Sequence, residues 1–193
     1  IQSYKNAINI KPDFAAAHYN MAVTFTDLND INQAIQAYEK ALLFNPNNSQ
    51  ALYNLGLCLI GVRFKKPSKV MQKLISNLLD KKNYVRPKDV CIAAISLVKL
   101  EPALKKLFIK KPDKILVNSI EQIIQKLTRI SLLLKLMSVT PLEDLELEQL
   151  IGKLREALLY YVIKNPKNDV TLKFQSAVAL QSFTNEYIYE QNE

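Results

Sequence analysis

Apolar and small residues recur along this chain at helical spacing, and over its first sixty or so positions they also recur at a longer fixed interval. Residues 15–48 (AAAHYNMAVTFTDLNDINQAIQAYEKALLFNPNN) read as one helical hairpin. His18, Met21, Ala22 and Phe25 share a face of a first helix, Ala34 and Tyr38 a face of a second, and Pro46 closes the unit. Leu52, Leu55, Gly56 and Leu59 follow the first four at a spacing of 34 residues, and Tyr4, Ala7 and Pro12 precede Tyr38, Ala41 and Pro46 by the same 34. Small residues are expected where paired helices cross at about 8–10 Å, which predicts close crossings at Ala7, Ala22, Ala34, Ala41 and Gly56. Pro12 and Pro46 lack a donor and restrict the preceding residue, so each ends a second helix, and Asn47-Asn48 suits the turn that follows.

Past Ile60 the period fails, because GVRFKK (61–66) and Pro67 stand where the next hairpin turn should be. Helical spacing persists. Ser68 to Lys82 reads as a helix closing the last repeat, and further helices are predicted over Pro87–Leu100, Pro102–Lys111, Pro112–Met137, Leu142–Lys164 and Asp169–Tyr189. The apolar stripe of Pro112–Met137 is too wide for a surface helix and predicts one central helix of a bundle. Strand-like alternation and Asn-Gly or Asp-Gly turns are missing, so the chain is read as all-α, with a repeat array over 1–82 and a helical connector over 83–193.

An aromatic, Leu-Gly and Tyr on a first helix, Ala-x3-Phe on a second, a closing Pro and a 34-residue period make up the tetratricopeptide pattern. Residues from Ile1 to about Ile60 resemble that family, with His18 and Leu52 in place of the usual Trp and Leu59 in place of Tyr. The resemblance implies an α-α superhelix whose first helices line a concave surface suited to an extended peptide or a partner helix. Carried onto this chain, that peptide-binding concave face comprises Ala16, Tyr19, Asn20, Val23, Thr26 and Asp27, then Gln50, Tyr53, Asn54 and Leu57. Asn20 and Asn54 would be two rungs of an asparagine ladder, since an amide matches both the donor and the acceptor of a peptide backbone. The family's carboxylate-clamp members carry Lys and Arg on these helices, and this chain does not.

Of the 193 residues 49% are apolar and 23% charged, as in globular proteins, and no apolar run reaches the roughly 18 residues that would cross a bilayer. No secretory signal is visible, which gives a cytoplasmic expectation. The chain opens without Met inside a repeat's second helix, so further repeats are expected upstream. Charge is uneven: residues 61–139 hold eighteen Lys/Arg against five Asp/Glu, whereas residues 1–60 hold three against four. Nucleic acid or an acidic partner would be sought in that middle segment. Its basic clusters, around Arg63–Lys73 and Lys105–Lys114, have few aromatic neighbours, Phe64, Tyr84 and Phe108, and read as solvated helix faces in preference to a nucleic-acid site.

Candidate chemistry is sparse. Cys58 and Cys91 sit in apolar helical patterns and read as buried thiols. With a single His and no paired-Cys spacing, neither a metal site nor a cofactor is expected, and no phosphate loop or nucleophile turn can be built from three isolated glycines. His18 reads as a packed histidine, and Glu143, Asp144, Glu146 and Glu148 as a helix N-terminus favoured by the helix dipole. Catalysis is not expected within these residues.

A second resemblance concerns residues 141–193, which look like the helical connector of bacterial tetratricopeptide proteins carrying a C-terminal methyltransferase- or sulfotransferase-type domain. It rests on Asp144 to Glu148, Leu150, Arg155, Ala177, Gln181, Phe183 and Asn185-Glu186-Tyr187, with Ser182 where Cys is usual. Two functions follow as expectations. One is a partner-binding module; the other is the substrate-recognition arm of a transferase (methyl-, sulfo- or glycosyl-) whose catalytic domain lies beyond residue 193.

Overall fold

The structure, a computed structural model, describes residues 1–81, 84–110, 117–165 and 172–189, the last helix with side chains up to residue 181. Eleven helices and no strand are found among them. The chain divides into two compact units, residues 1–62 with 68–90, and residues 63–67 with 91–193. The division falls inside a helix, between Val90 and Cys91, rather than at the expected 82/83.

The first unit contains α1 (Gln2–Ile10), α2 (Ala15–Asp27), α3 (Ile31–Phe44), α4 (Ser49–Cys58), α5 (Lys69–Asp80) and the start of α6 (Pro87–Lys99). Helix α2 packs along α3, α3 on α4, and both α3 and α4 on α5. The 34-residue period is written into the backbone. Lys11 and Asn45, each before a proline, leave their helices with φ/ψ of −133/92° and −134/82°. Phe14 and Asn48, each preceding the next helix, take −73/86° and −70/95°. The expected crossing residues Ala22, Ala34 and Ala41 are wholly buried, as is Ala51.

The period breaks for a local reason. Between α2 and α3 the left-handed residue is Asn29 (φ 57°), and Asp30 then caps α3 by accepting from Gln33 N at 3.2 Å. After α4 the left-handed residue is Gly61 (φ 74°), so the chain turns early and α4 stops at Cys58. Ser68 starts α5 by accepting from Met71 N at 3.1 Å and donates to Glu39 Oε1 at 3.5 Å. Burial raises the Glu39 carboxyl above its usual range, and the Ser68 hydroxyl partly offsets that. Val85 then closes over Gly56, where an added Cβ would stand 2.8 Å from Val85 Cγ1 and 3.2 Å from Leu78 Cδ2.

The second unit contains the rest of α6 with α7 (Pro102–Lys110), α8 (Val117–Leu127), α9 (Ser131–Val139), α10 (Leu145–Lys164) and α11 (Leu172–Tyr189). Residues 63–67 belong to it through Phe64 N, which donates to Ser96 Oγ at 2.9 Å. The single helix expected over Pro112–Met137 is corrected. Its described part is two helices, broken at Thr128–Ile130, where Thr128 Oγ1 donates to Gln125 O at 3.0 Å and Ile130 adopts φ/ψ of −92/81°. The stripe is wide because two helices bury separate faces, Ile120, Ile124 and Leu127 on α8, and Leu132, Leu133, Leu136 and Met137 on α9. Helix α10 starts at Leu145 rather than Leu142, set by the Asp144 cap on Leu147 N at 2.9 Å. Residues 82, 111–116 and 169–171, on which parts of the expected helices fall, lie outside the described residues.

Asp144 has a second task. Lys99 Nζ donates to Asp144 and to Glu146 Oε2, each at 2.9 Å, and stands 5.0 Å from the centre of the Phe108 ring. Partial burial works against the Lys99 charge, but the hydrogen bonds and ion pairs with Glu146 and Asp144 prevail and raise its pKa. On α8, Glu121 Oε2 accepts from Tyr161 OH of α10 at 2.8 Å.

Gly56→Ala should lower stability by about 1 kcal/mol, because the overpacking cost of about 1–3 kcal/mol exceeds the gain of about 1 kcal/mol from replacing a helical glycine. Combined with Val85→Ala in a double-mutant cycle read by urea unfolding, it should show a favourable coupling of about 1 kcal/mol, and zero coupling would contradict this contact. Lys99→Met should cost about 1 kcal/mol near neutral pH. Because the folded pKa of Lys99 is raised, its contribution is complete below the ordinary lysine value of 10.5 and fades as pH rises through the folded value. The wild-type and Lys99→Met melting temperatures should therefore converge on the alkaline side as pH rises through the folded Lys99 value.

Candidate functional site

The expected concave-face residues lie on α2 and α4, which touch one another within the first unit. Ala16, Asn20, Asp27, Gln50, Tyr53 and Leu57 are exposed, and Tyr19, Val23, Thr26 and Asn54 are half-buried. Exposure on this side is a matter of helical register: the alternate face of α2 buries Ala17, His18 and Ala22, and that of α4 buries Ala51, Leu52, Leu55 and Gly56.

Three of the half-buried members, Tyr19, Thr26 and Asn54, meet at Tyr38 of α3, whose side chain is wholly buried. Thr26 Oγ1 lies 3.4 Å from Tyr38 OH and 3.7 Å from Cys58 Sγ, and donates to Ala22 O at 3.0 Å. The Tyr19 ring is tilted against Tyr38 at 6.1 Å. Burial raises the pKa of the Tyr38 hydroxyl, while hydrogen bonds from Thr26 and Asn54 pull the other way. Burial likewise raises the Cys58 thiol, which keeps it protonated and a poor nucleophile. Three helices are thus joined at one phenol, beneath the exposed wall.

This arrangement separates the two asparagines. Asn54 Oδ1 accepts from Gln50 Nε2 at 3.1 Å and its side chain also engages Tyr38, so part of its capacity is used internally. The Asn20 side chain is exposed. An exposed amide presents two donors and one acceptor oxygen to whatever lies against it.

Residues outside the sequence-based set extend the wall. Tyr84, in the segment after α5, meets Tyr53 edge-on with ring centres 6.4 Å apart, and Lys81 Nζ stands 5.6 Å from the Tyr84 ring centre. The repeat period ends before Tyr84, so no register pointed to it; the only available signal was an aromatic following a closing helix.

His18 is the packed histidine that was expected. It is 7% exposed, its Nε2 is 2.9 Å from Pro12 O, and its ring lies 5.5 Å from Phe44. It also borders a shallow cleft of about 480 Å³ between α1, α2 and the start of α3, with Lys5, Asn9, Met21 and Phe25 among the lining. The acidic stretch at 143–148 serves the α10 N-terminus and Lys99, as described above. Both cysteines are buried and unpaired, and among the described residues no group of His, Cys, Asp and Glu is placed to hold a metal ion. No described helix is long and apolar enough to cross a membrane. The side chains of Ser182 to Tyr187, part of the second sequence resemblance, lie outside the described residues.

Comparison with known proteins gives two matches to tetratricopeptide repeat family models, over residues 15–48 and 37–74. The chain is 30% identical over 79 residues to Protein O-mannosyl-transferase TMTC3 from Homo sapiens, covering 41% of this chain and 8% of that protein. It is 40% identical over 55 residues to the probable UDP-N-acetylglucosamine–peptide N-acetylglucosaminyltransferase SPINDLY from Eustoma exaltatum subsp. russellianum, covering 25% of this chain and 6% of that protein. The chain thus spans less than a tenth of either relative's length. No solved structure matches. The second family match runs through Gly61–Pro67 into α5, so the early turn after α4 lies within a repeat and α5 belongs to it. Residues 15–74 of this chain are matched as tetratricopeptide repeats.

Proposed function

We propose that the wall formed by α2 and α4 holds an extended segment of a protein partner, with Asn20 bonding its backbone and Asn54 positioned beside it through Tyr38 and Gln50. The observation that carries this reading is the outward amide of Asn20, set beside an exposed run of Ala16, Gln50, Tyr53 and Leu57 on neighbouring helices. Apolar contact from Tyr53 and Leu57 would supply affinity, and the amides would tolerate varied sequence because they address the backbone.

A second reading is supported by the names of the two relatives, both glycosyltransferases. In it the same wall presents protein substrate to a transferase domain encoded beyond residue 193. The reading frame downstream tests that directly: a transferase domain there supports it, and a frame without one removes it.

The peptide reading is tested with the 193-residue chain and a pool of fluorescein-labelled random decapeptides followed by anisotropy. Asn20→Ala should weaken binding about fivefold, the worth of one hydrogen bond, without changing the melting temperature. Asn54→Ala should weaken binding and also lower the melting temperature, because it withdraws a partner from Tyr38. Undiminished binding by the Asn20→Ala, Asn54→Ala double variant would sink the proposal.

A further inference from the structure

We propose that the downstream end of this wall, formed by Tyr53, Leu57, Tyr84 and Lys81, reads an acidic side chain next to an aromatic or large apolar one in the bound segment. The inference rests on the peptide-binding reading above and specifies its ligand.

Tyr53 and Leu57 lie one helical turn apart on α4, 38% and 45% exposed, and form an apolar surface that α4's own hairpin leaves open. The edge-on contact with Tyr84 extends that surface beyond the helix and fixes the Tyr53 ring. Aromatic pairs of this kind offer a rigid contact of large area at low entropic cost, the property that makes Tyr frequent at interface hot spots. Lys81 adds a charge at the margin. Its ammonium lies over Tyr84 at 5.6 Å and forms no ion pair among the described residues.

The second unit contains the same pairing in a filled form. Lys99 lies over Phe108 at 5.0 Å, and there the ammonium is also bound by the carboxylates of Asp144 and Glu146 at 2.9 Å. A lysine held against an aromatic ring thus still directs its N–H groups at carboxylates in this very chain. At Lys81 the ring is present and no carboxylate among the described residues pairs with the ammonium, which leaves the charge complementarity an acidic ligand residue would satisfy. A single ammonium suits one side-chain carboxylate; capture of a chain terminus calls for a nest of backbone donors or several cations. The apolar neighbour of that acid would then lie on Tyr53 and Leu57.

The test uses the whole chain and four fluorescein-labelled decapeptides of Ser, Thr, Gly and Asn, three of them carrying a central Glu-Phe, Lys-Phe or Glu-Ala pair and one carrying none. A ten-nucleotide oligothymidylate serves as the nucleic-acid arm. Glu-Phe should bind about tenfold more tightly than the unsubstituted peptide, as expected of an aromatic anchor with a flanking charge. Lys81→Glu, an exposed substitution that leaves the fold intact, should reverse the order of Glu-Phe and Lys-Phe. Tyr84→Ala should bring Glu-Phe down to the Glu-Ala level, and a melting curve checks that Val85 still covers Gly56. Equal binding of all four peptides, still weakened by Asn20→Ala, would overturn this inference and leave the peptide-binding reading standing. No binding of any peptide would remove both. Oligothymidylate binding that is lost in Lys81→Glu, without a Glu-Phe preference, would assign the surface to nucleic acid instead and overturn the proposal.

Discussion

Close helix approach is the constraint on which the first unit depends. Ala22, Ala34, Ala41 and Ala51 are wholly buried where α2, α3 and α4 come together, and any larger side chain there would force the axes apart. Such residues contribute little apolar area themselves. They allow the larger side chains around them, Tyr38, Leu42, Leu55 and Leu59, to be fully enclosed, and that burial supplies the stabilisation, about 1.5–3 kcal/mol for each large apolar side chain. At Gly56 the same logic is carried further, since Val85 occupies the space a Cβ would need. A packed core of this density leaves Ala16, Asn20, Asp27, Gln50, Tyr53 and Leu57, on the opposite faces of α2 and α4, exposed.

Much of this was legible because the period constrains backbone and side chain together. The sequence spacing of Pro12 and Pro46 implies a common way of leaving a helix, and Lys11 and Asn45 adopt nearly the same dihedrals. Hydrophobic spacing alone is weaker evidence. It counts which residues want burial and is silent on where the ladder of backbone hydrogen bonds is interrupted, so α8 and α9 read as one helix. The interruption at Thr128–Ile130 contains no Pro or Gly; it depends on a hydroxyl taking up the Gln125 carbonyl. The meeting of Tyr84 with Tyr53 was not legible for a different reason: Tyr84, noted in the sequence only as an aromatic near the basic clusters, lies beyond the repeat, beside Val85, which packs on Gly56. The first miss comes from a local hydroxyl bond that hydrophobic spacing does not register, the second from a tertiary contact beyond what a window of sequence encodes.

The polar groups of the first unit show how a repeat can be regular in sequence and unequal in use. Asn20 and Asn54 hold the same register, 34 residues apart, but Asn54 faces a buried phenol that must be satisfied, whereas Asn20 is exposed. Leaving the Tyr38 hydroxyl without partners would cost about 1–3 kcal/mol, so the amide nearest to it is drawn inward and loses part of its freedom to bind anything else. Thr26 shares that duty, reaching Tyr38 and Cys58 from the adjacent helix. The consequence is a graded wall. Polar side chains close to the α2–α3–α4 junction bond to one another across the helices, and those a turn away from it stay exposed. A binding surface read only from equivalent positions in a repeat would weight these residues equally. Satisfaction of the buried phenol distinguishes them: Asn54 is engaged with Tyr38 and Gln50, and Asn20 is exposed, which is why the proposed backbone contact falls to Asn20.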